Sequence, residues 1–173
     1  MNVKINISDV FIKTERLVLR AFADKDLEDF FEYARVDGVG EMAGWPHHET
    51  IEDSKVVLDM FLKEKKTFAI EYKGKVIGSV GIEKYNEELL PEFADKQGRE
   101  IGFVLSKDYW GQGFMPEAVK GVLDYLLNEL KLDFIICCHS ATNIQSKRVQ
   151  EKCGFKPYKT VDNKCINVIC LHR

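Results

Sequence analysis

Several features are scarce in this 173-residue sequence, and each scarcity excludes a class of protein. With 12 glycines and 4 prolines, the composition is neither fibrous nor of low complexity. No apolar run approaches the ~20 residues that a bilayer-spanning helix needs, and the opening segment lacks the pattern of a signal peptide. The 5 cysteines include no C-x-x-C pair. We therefore expect free thiols and a cytoplasmic location.

A strong net charge is also lacking. The 25 basic and 28 acidic residues leave a formal charge of -3 at pH 7, which argues against a broad nucleic-acid-binding face. Hydrophobic residues make up 45% of the chain, enough for a core that needs neither metal nor disulfide. These values predict one domain over residues 1–173, with no nucleic-acid or membrane partner. They leave open whether the chain forms a homodimer.

Alternating apolar residues and one continuous apolar run predict the strands. The run at 134–139 is typical of a strand that is covered on both faces. Between two alternating segments, Lys73–Gly74 favours a hairpin turn. The predicted strands are Glu15–Arg20, Thr67–Tyr72, Lys75–Ile82, Arg99–Leu105, Phe134–His139, Phe155–Thr160 and Lys164–Leu171.

Apolar residues at helical spacing predict the helices. These are one after Asp24, one after Thr50, one over Met115–Leu130 and one over 143–153 capped by Thr142. In the second helix Val56, Val57 and Met60 are expected to face inward, and residues 37–48 have no period and indicate a loop. The element order predicts an α/β fold, with a single mixed, mostly antiparallel sheet of about seven strands, a central parallel β-α-β unit and about four flanking helices.

The segment IGFVLSKDYWGQGFMPEAVK, residues 101–120, carries the most chemical information. A predicted strand ends there, Gly111 and Gly113 follow, and a strong helix starts at once. Glycines let the main chain approach a ligand, and the free N–H groups of a helix's first turn attract anions such as a diphosphate. A dinucleotide fingerprint is excluded because Pro116 stands in place of its third glycine, and no G-K-[ST] tripeptide follows. A tight structural turn is the alternative.

Five segments together carry a family resemblance over nearly the whole chain. They are TERLVLRAF at 14–22, GWPH at 44–47, REIGFVL at 99–105, YWGQGFMPEA at 109–118 and ATNIQSKRVQEKCGF at 141–155. In this order and spacing the chain resembles the GNAT superfamily of acetyl-CoA-dependent N-acetyltransferases. It looks closest to the branch that acetylates ribosomal-protein N-termini, the RimJ/RimL-like branch. The resemblance implies a GNAT fold and acetyl-CoA as the acetyl donor.

The same resemblance implies which residues bind acetyl-CoA. In the family the diphosphate lies on main-chain N–H groups of a glycine-rich loop, the pantetheine arm pairs with the fourth strand, and a helix asparagine contacts that arm. Here Trp110 replaces a Gln or Arg of the family loop, and Met115 replaces a small residue. The matching positions are Trp110, Gly111, Gln112, Gly113, Phe114 and Met115 in the loop, Phe103, Val104 and Leu105 in the strand, and Asn143 in the helix. A simple helix cap is the alternative for Asn143, and both roles can hold.

Acetyl transfer to an amine requires the ammonium to lose a proton and the leaving thiolate to be stabilised. We predict Glu100 as the base, because the resemblance puts it on the strand beside the thioester. Ser146 matches the serine of the branch's helix motif and is predicted to serve the thiolate. Many GNAT members carry a tyrosine for that role just before E-K-x-G-F, whereas this chain has Gln150. A histidine or water as base, a solvent-facing serine and an exposed strand carboxylate remain alternatives.

Trp45 and His47 lie in the loop that forms part of the acceptor pocket in this branch, so the resemblance predicts that they contact the acceptor; solvated loop side chains are the alternative. The predicted reaction is direct transfer to a primary amine, first of all a protein N-terminal α-amine. A small amine (a polyamine or an aminoglycoside) and a non-catalytic acetyl-CoA sensor remain alternatives. No metal is expected at Cys137–His139, because adjacent strand residues point to opposite faces.

Overall fold

The computed structural model describes residues 1–171, which form a mixed α/β fold with one eight-stranded sheet. The strands are β1 (Phe11–Lys13), β2 (Val18–Ala21), β3 (Thr67–Tyr72), β4 (Lys75–Glu83), β5 (Gly98–Leu105), β6 (Phe134–Ser140), β7 (Lys156–Val161) and β8 (Lys164–Cys170). They are hydrogen-bonded in the order β1-β2-β3-β4-β5-β6-β8-β7. β5 and β6 are parallel, whereas β1–β2, β2–β3, β3–β4, β6–β8 and β7–β8 are antiparallel.

Five α-helices accompany the sheet within residues 1–171. They are α1 (Leu27–Ala34), α2 (Val39–Met42), α3 (Ile51–Glu64), α4 (Phe114–Asp124) and α5 (Ile144–Lys152). A π-helical turn over Tyr125–Glu129 continues α4. α3 begins with the predicted capping box, in which the Asp53 carboxylate accepts the Thr50 N–H at 2.9 Å. None of the helices described here is long and apolar enough to cross a membrane.

The predicted fold class is confirmed, with one more strand and one more helix than expected. β1 was missed because it has only three residues. The Thr14 N–H donates to the Leu17 carbonyl oxygen at 3.0 Å, which closes a turn between β1 and β2. The strand predicted from Glu15 therefore begins only at Val18.

Two predictions about the first helices are wrong. The segment at 37–48 contains α2, which is too short to show a periodicity. On α3, Val57 packs against the core as expected, whereas Val56 and Met60 are exposed by 70% and 45%. The prediction that Val56 and Met60 face inward is therefore wrong. The inward face is the stripe at helical spacing formed by Ile51, Ser54, Val57, Leu58, Phe61 and Leu62.

The chain divides into two compact units. The first comprises Met1–Lys4, Ile82–Gly102 and the chain from Val119 onward, and the second comprises Ile5–Gly81 and Phe103–Ala118.

Aromatic rings form the core of the second unit. Phe22, Phe30 and Tyr33 are buried, and the centroid of the Phe30 ring lies 5.8 Å from that of Phe22 and 5.4 Å from that of Tyr33. Trp45 and Trp110 pack against this cluster. The two loops that carry most of the predicted binding residues of this unit are therefore anchored to its core.

Phe134 is central to the core of the first unit. Its ring centroid lies 4.3 Å from that of Phe93 and 5.2 Å from that of Tyr85. Gly98 opposes Phe134 in the parallel β5–β6 ladder, and a Cβ built on Gly98 would lie 2.3 Å from the Phe134 ring. The absence of a side chain at Gly98 is therefore a packing requirement of this core.

We predict that Gly98→Ala lowers the free energy of unfolding by about 1–3 kcal/mol, because the added methyl group overpacks the core against Phe134. Gly102→Ala, on the same strand, is the matched control, since a Cβ there has no atom within 4 Å. Its expected effect is within about 0.5 kcal/mol. Equal losses in the two variants, measured by urea unfolding, would contradict the packing argument.

Candidate active site

The predicted diphosphate loop joins β5 to α4 within the second unit. Gly111 and Gly113 have φ values of 72° and 79°, the left-handed region that glycine adopts without strain. No atom lies within 4 Å of a Cβ built on Gly111, so the main chain is open at this point. Main-chain N–H groups in such a turn, followed directly by a helix N-terminus, form a concavity that suits a phosphate group.

Side chains at both ends hold this loop in place. The Trp110 indole N–H donates to the Leu105 carbonyl oxygen at 2.8 Å. At the other end Phe114 and Met115 are buried, whereas Gln112 is exposed and its amide donates to the Asp108 carbonyl oxygen at 3.0 Å. A bulky buried Met115 is compatible with the family's mode of binding, because the contacts come from the main chain.

The strand half of the predicted donor site is Phe103–Leu105, at the end of β5. Phe103 and Val104 are half-buried and Leu105 is buried. A Cβ built on Gly78 of β4 would lie 2.4 Å from the Val104 carbonyl oxygen, so β4 approaches β5 closely on this side. The arrangement fits a donor arm that recognises main chain, as an added strand does.

In the first unit, Gln150 is the centre of a buried polar network. Its Nε2 donates to the Cys138 carbonyl oxygen at 3.3 Å and to Ser146 Oγ at 3.1 Å, and its Oε1 accepts from Asn167 Nδ2 at 2.7 Å. The carbonyl can only accept, which fixes the orientation of the amide. Both N–H donors and the oxygen of this fully buried side chain are thus satisfied.

Ser146 and Asn143 lie in the first turn of α5. The Asn143 side chain caps the helix by accepting the Ser146 N–H at 3.0 Å, so the cap is Asn143 and not the predicted Thr142. Because Gln150 donates to Ser146 Oγ, the Ser146 hydroxyl proton remains available for another acceptor. Asn143 is buried at the start of the same turn.

Glu100 lies on β5 beside a thiol and an ammonium group. Its Oε1 lies 3.4 Å from Lys164 Nζ, and its side chain is 19% exposed. Burial first, and then the negative charge of Glu100, raise the pKa of Cys138 to about 12. The thiol therefore stays protonated at neutral pH, which disfavours an acyl-enzyme at Cys138. Cys138 also joins Glu100 to the Ser146 network, because its carbonyl accepts from Gln150.

His47 belongs to an ion cluster in the second unit. Its Nδ1 lies 2.8 Å from Glu41 Oε1, and its Nε2 lies 3.7 Å from Glu49 Oε1. Ligand atoms of Asp37, Glu41 and His47 lie within 4.8 Å of one another, a spacing that could hold a metal ion. The prediction that no metal is used stays a prediction. The Trp45 ring lies near that of His48, with centroids 5.2 Å apart and planes tilted by 42°, and it packs against the core of the second unit.

Comparison with known proteins identifies the family. The family profile described as "Acetyltransferase (GNAT) domain" matches residues 16–156. An uncharacterized N-acetyltransferase of Bacillus subtilis, YnaD, is 30% identical over 149 residues, which cover 84% of this chain and 82% of that protein. The chain therefore belongs to the GNAT acetyltransferase family.

Solved structures share the fold. A GNAT-family acetyltransferase from Bacillus anthracis has a TM-score of 0.77 and 27% identity, covering 93% of this chain and 98% of that one. The ribosomal-protein-S5-alanine acetyltransferase of Vibrio fischeri has a TM-score of 0.71 at 19% identity, covering 94% and 97%. Spermidine N-acetyltransferase of Vibrio cholerae, solved with CoA and spermine, has a TM-score of 0.70 at 18% identity, covering 90% and 96%.

Family membership defines the chemistry at a coarse level. The protein is an N-acetyltransferase, an acyltransferase that uses acetyl-CoA as donor and an amine as acceptor. When bound, acetyl-CoA supplies an acetyl group activated as a thioester. The open glycine turn at 111–113, with its helix N-terminus, suits the diphosphate of this donor.

Three residues of these networks were not identified from the sequence as functional. Gln150 was noted only as a replaced tyrosine, Lys164 was not considered as a partner of Glu100, and Arg16 was not considered as a partner of the glycine loop. The polar contacts of Lys164 and Arg16 cross 64 and 96 positions, so no local pattern could reveal them.

We expect Gln150→Leu to lower the free energy of unfolding by about 2–4 kcal/mol, because Asn167 Nδ2 and the Cys138 carbonyl lose a buried partner. Gln145→Leu, at an exposed position of the same helix, should change it by no more than about 0.5 kcal/mol. Denaturant unfolding followed by circular dichroism measures both. Equal free energies of unfolding in the two variants would show that the buried amide does not stabilise the fold.

The pKa of His47 should lie above the ordinary value for histidine, and the pKa of His48 should lie below it. The hydrogen bond to Glu41 raises the pKa of His47, whereas burial lowers the pKa of His48. Glu41→Gln should return the pKa of His47 to about 6.5 and leave that of His48 low. NMR titration of the imidazole signals tests this expectation, which fails if the pKa of His47 is unchanged in the variant.

Proposed function

We propose that this single-domain N-acetyltransferase, residues 1–173, transfers an acetyl group directly from acetyl-CoA to a protein N-terminal α-amine. The observation that carries the proposal is that Cys138 has Glu100 beside its thiol and the Gln150–Ser146 network on its carbonyl, so that one unit holds a candidate base and a hydrogen-bond donor for the leaving thiolate. Acetyl-CoA would be held by main chain at 110–115 and at Phe103–Leu105. Asn143, Trp45 and His47 keep their predicted roles as donor and acceptor contacts.

Glu100 acts as the base in this proposal. An amine arrives mainly as an ammonium ion, and only the free amine can attack a thioester. A carboxylate takes up the proton directly or through a water molecule. Lys164 Nζ donates to Glu100 Oε1 at 3.4 Å and so helps to hold this carboxylate in place.

Ser146 stabilises the leaving thiolate by donating a hydrogen bond to it. The leaving sulfur needs stabilisation, and a hydroxyl whose oxygen already accepts the Gln150 amide N–H directs its own proton elsewhere. Such a donor replaces the tyrosine that many GNAT members carry at the position of Gln150. The proposal needs no acyl-enzyme, in agreement with a Cys138 thiol whose pKa is raised to about 12.

The choice of an α-amine rests on the RimJ/RimL-like segments and on the fold shared with a ribosomal-protein-S5-alanine acetyltransferase. A polyamine is the second candidate, because the cluster of Asp37, Glu41 and Glu49 around His47 would attract any cationic acceptor. The fold shared with a spermidine N-acetyltransferase supports it equally.

The experiment is an acceptor screen with acetyl-CoA, read by mass spectrometry. The acceptors are a peptide with a free N-terminal serine or alanine, the same peptide blocked at its N-terminus but with one lysine, and spermidine. We expect acetylation of the free N-terminal peptide only. Turnover of spermidine, and not of the free N-terminal peptide, would show that the acceptor is a polyamine. Tight acetyl-CoA binding without turnover of any of these acceptors would favour the sensor.

In the same assay, Glu100→Gln should lower kcat by about 10²-fold or more at neutral pH, because a positioned base is lost. Its Kd for CoA should be unchanged, since Glu100 acts on the amine. Glu88→Gln, an exposed carboxylate of the same unit, is the matched control and should retain kcat. A normal kcat in Glu100→Gln would assign the base to another group or to water.

A further inference from the structure

Arg16 connects the turn before β2 to the glycine loop and to α4, all within the second unit. Its Nη1 donates to the Gln112 carbonyl oxygen at 3.1 Å. Its Nε and its main-chain N–H donate to the two carboxylate oxygens of Glu117, each at 2.7 Å. The guanidinium also lies over the Phe114 ring, 4.0 Å from its centroid. One side chain thus contacts three residues in and just after the loop.

The bond to Gln112 fixes the direction of the next N–H group. In a planar trans peptide the carbonyl of one residue and the N–H of the next point in opposite directions, and the described chain has no cis peptide. Because Arg16 binds the Gln112 carbonyl, the Gly113 N–H must point away from Arg16. Gly113 on one side of this peptide, and Gly111 one residue earlier, would otherwise allow the loop other conformations.

Arg16 also offsets a charge that is unfavourable for anion binding. Glu117 lies in the first turn of α4, where an unpaired carboxylate would repel a phosphate group at the helix N-terminus. Burial acts to raise the pKa of Glu117, but hydrogen bonds from Thr14 and Arg16 outweigh it and lower the pKa. Glu117 is therefore ionised at neutral pH, and Arg16 supplies the compensating charge.

We propose that Arg16 is a positioning residue of the donor site, which orients the Gly113 N–H toward the diphosphate of acetyl-CoA and neutralises Glu117. This inference rests on the proposed use of the loop at 110–115 for the diphosphate. Arg16 acts through the loop and not on the reacting atoms, so its loss should affect donor binding and leave kcat at saturating donor unchanged.

The test measures the Kd of CoA, dephospho-CoA and pantetheine by calorimetry for the unaltered protein and for Arg16→Met. CoA and dephospho-CoA both contain the diphosphate, and the variant should bind each about tenfold more weakly. Pantetheine lacks it and should bind equally to both proteins. A general loss of structure would instead weaken all three ligands, and that result would overturn the proposal.

Two further variants sharpen the test. Arg35→Met removes another arginine over a phenylalanine ring, that of Phe31, and should leave all three Kd values unchanged. Arg16→Met combined with Glu117→Gln should bind CoA no more weakly than Arg16→Met, because the pair acts as one unit. Additive losses would refute the coupling.

The outcomes separate this inference from the function on which it rests. If the unaltered protein binds CoA and pantetheine with the same affinity, the loop does not hold the diphosphate, and both proposals about the loop are wrong. If the unaltered protein prefers CoA and Arg16→Met keeps that preference, only the role of Arg16 is wrong.

Discussion

The direction of one peptide unit, between Gln112 and Gly113, is the constraint on which the predicted donor loop depends. Glycines allow the left-handed turn at this point, but they allow other conformations as well. The observed conformation is fixed by two side-chain hydrogen bonds within the second unit, from the Trp110 indole to the Leu105 carbonyl and from the Arg16 guanidinium to the Gln112 carbonyl. The predicted diphosphate loop is in this way preorganised by side chains before any ligand binds.

In the first unit, a buried side-chain amide likewise holds a predicted site residue in place. Both N–H groups and the oxygen of the Gln150 side chain are hydrogen-bonded, and one of these bonds holds Ser146 Oγ in place. A network of this kind is rigid only when it is complete, because a buried polar group without a partner is costly. The position of the predicted hydrogen-bond donor therefore depends on Cys138 and Asn167, which lie on two neighbouring strands.

Periodicity and resemblance predicted the architecture, and contacts between distant positions were the part that remained hidden. The apolar pattern was sufficient for α4 and for the parallel β5–β6 pair. It failed on part of α3, where the apolar Val56 and Met60 lie on the exposed face, and on β1 and α2, which are too short for a period. At the start of α5, two adjacent residues are both good caps, and only the backbone geometry selects Asn143. The partners of Glu100 and Gln112 are distant in sequence, so no local sequence pattern predicts these contacts.

The completeness of the Gln150 network has an evolutionary consequence. A tyrosine, which many GNAT sequences carry at this position, has one hydroxyl and could not replace three amide hydrogen bonds. Exchange of Gln150 for tyrosine alone would remove the amide that the Asn167 side chain and the Cys138 carbonyl contact, so the residues at 150 and 167 are energetically coupled. We therefore expect these two positions to change together in evolution.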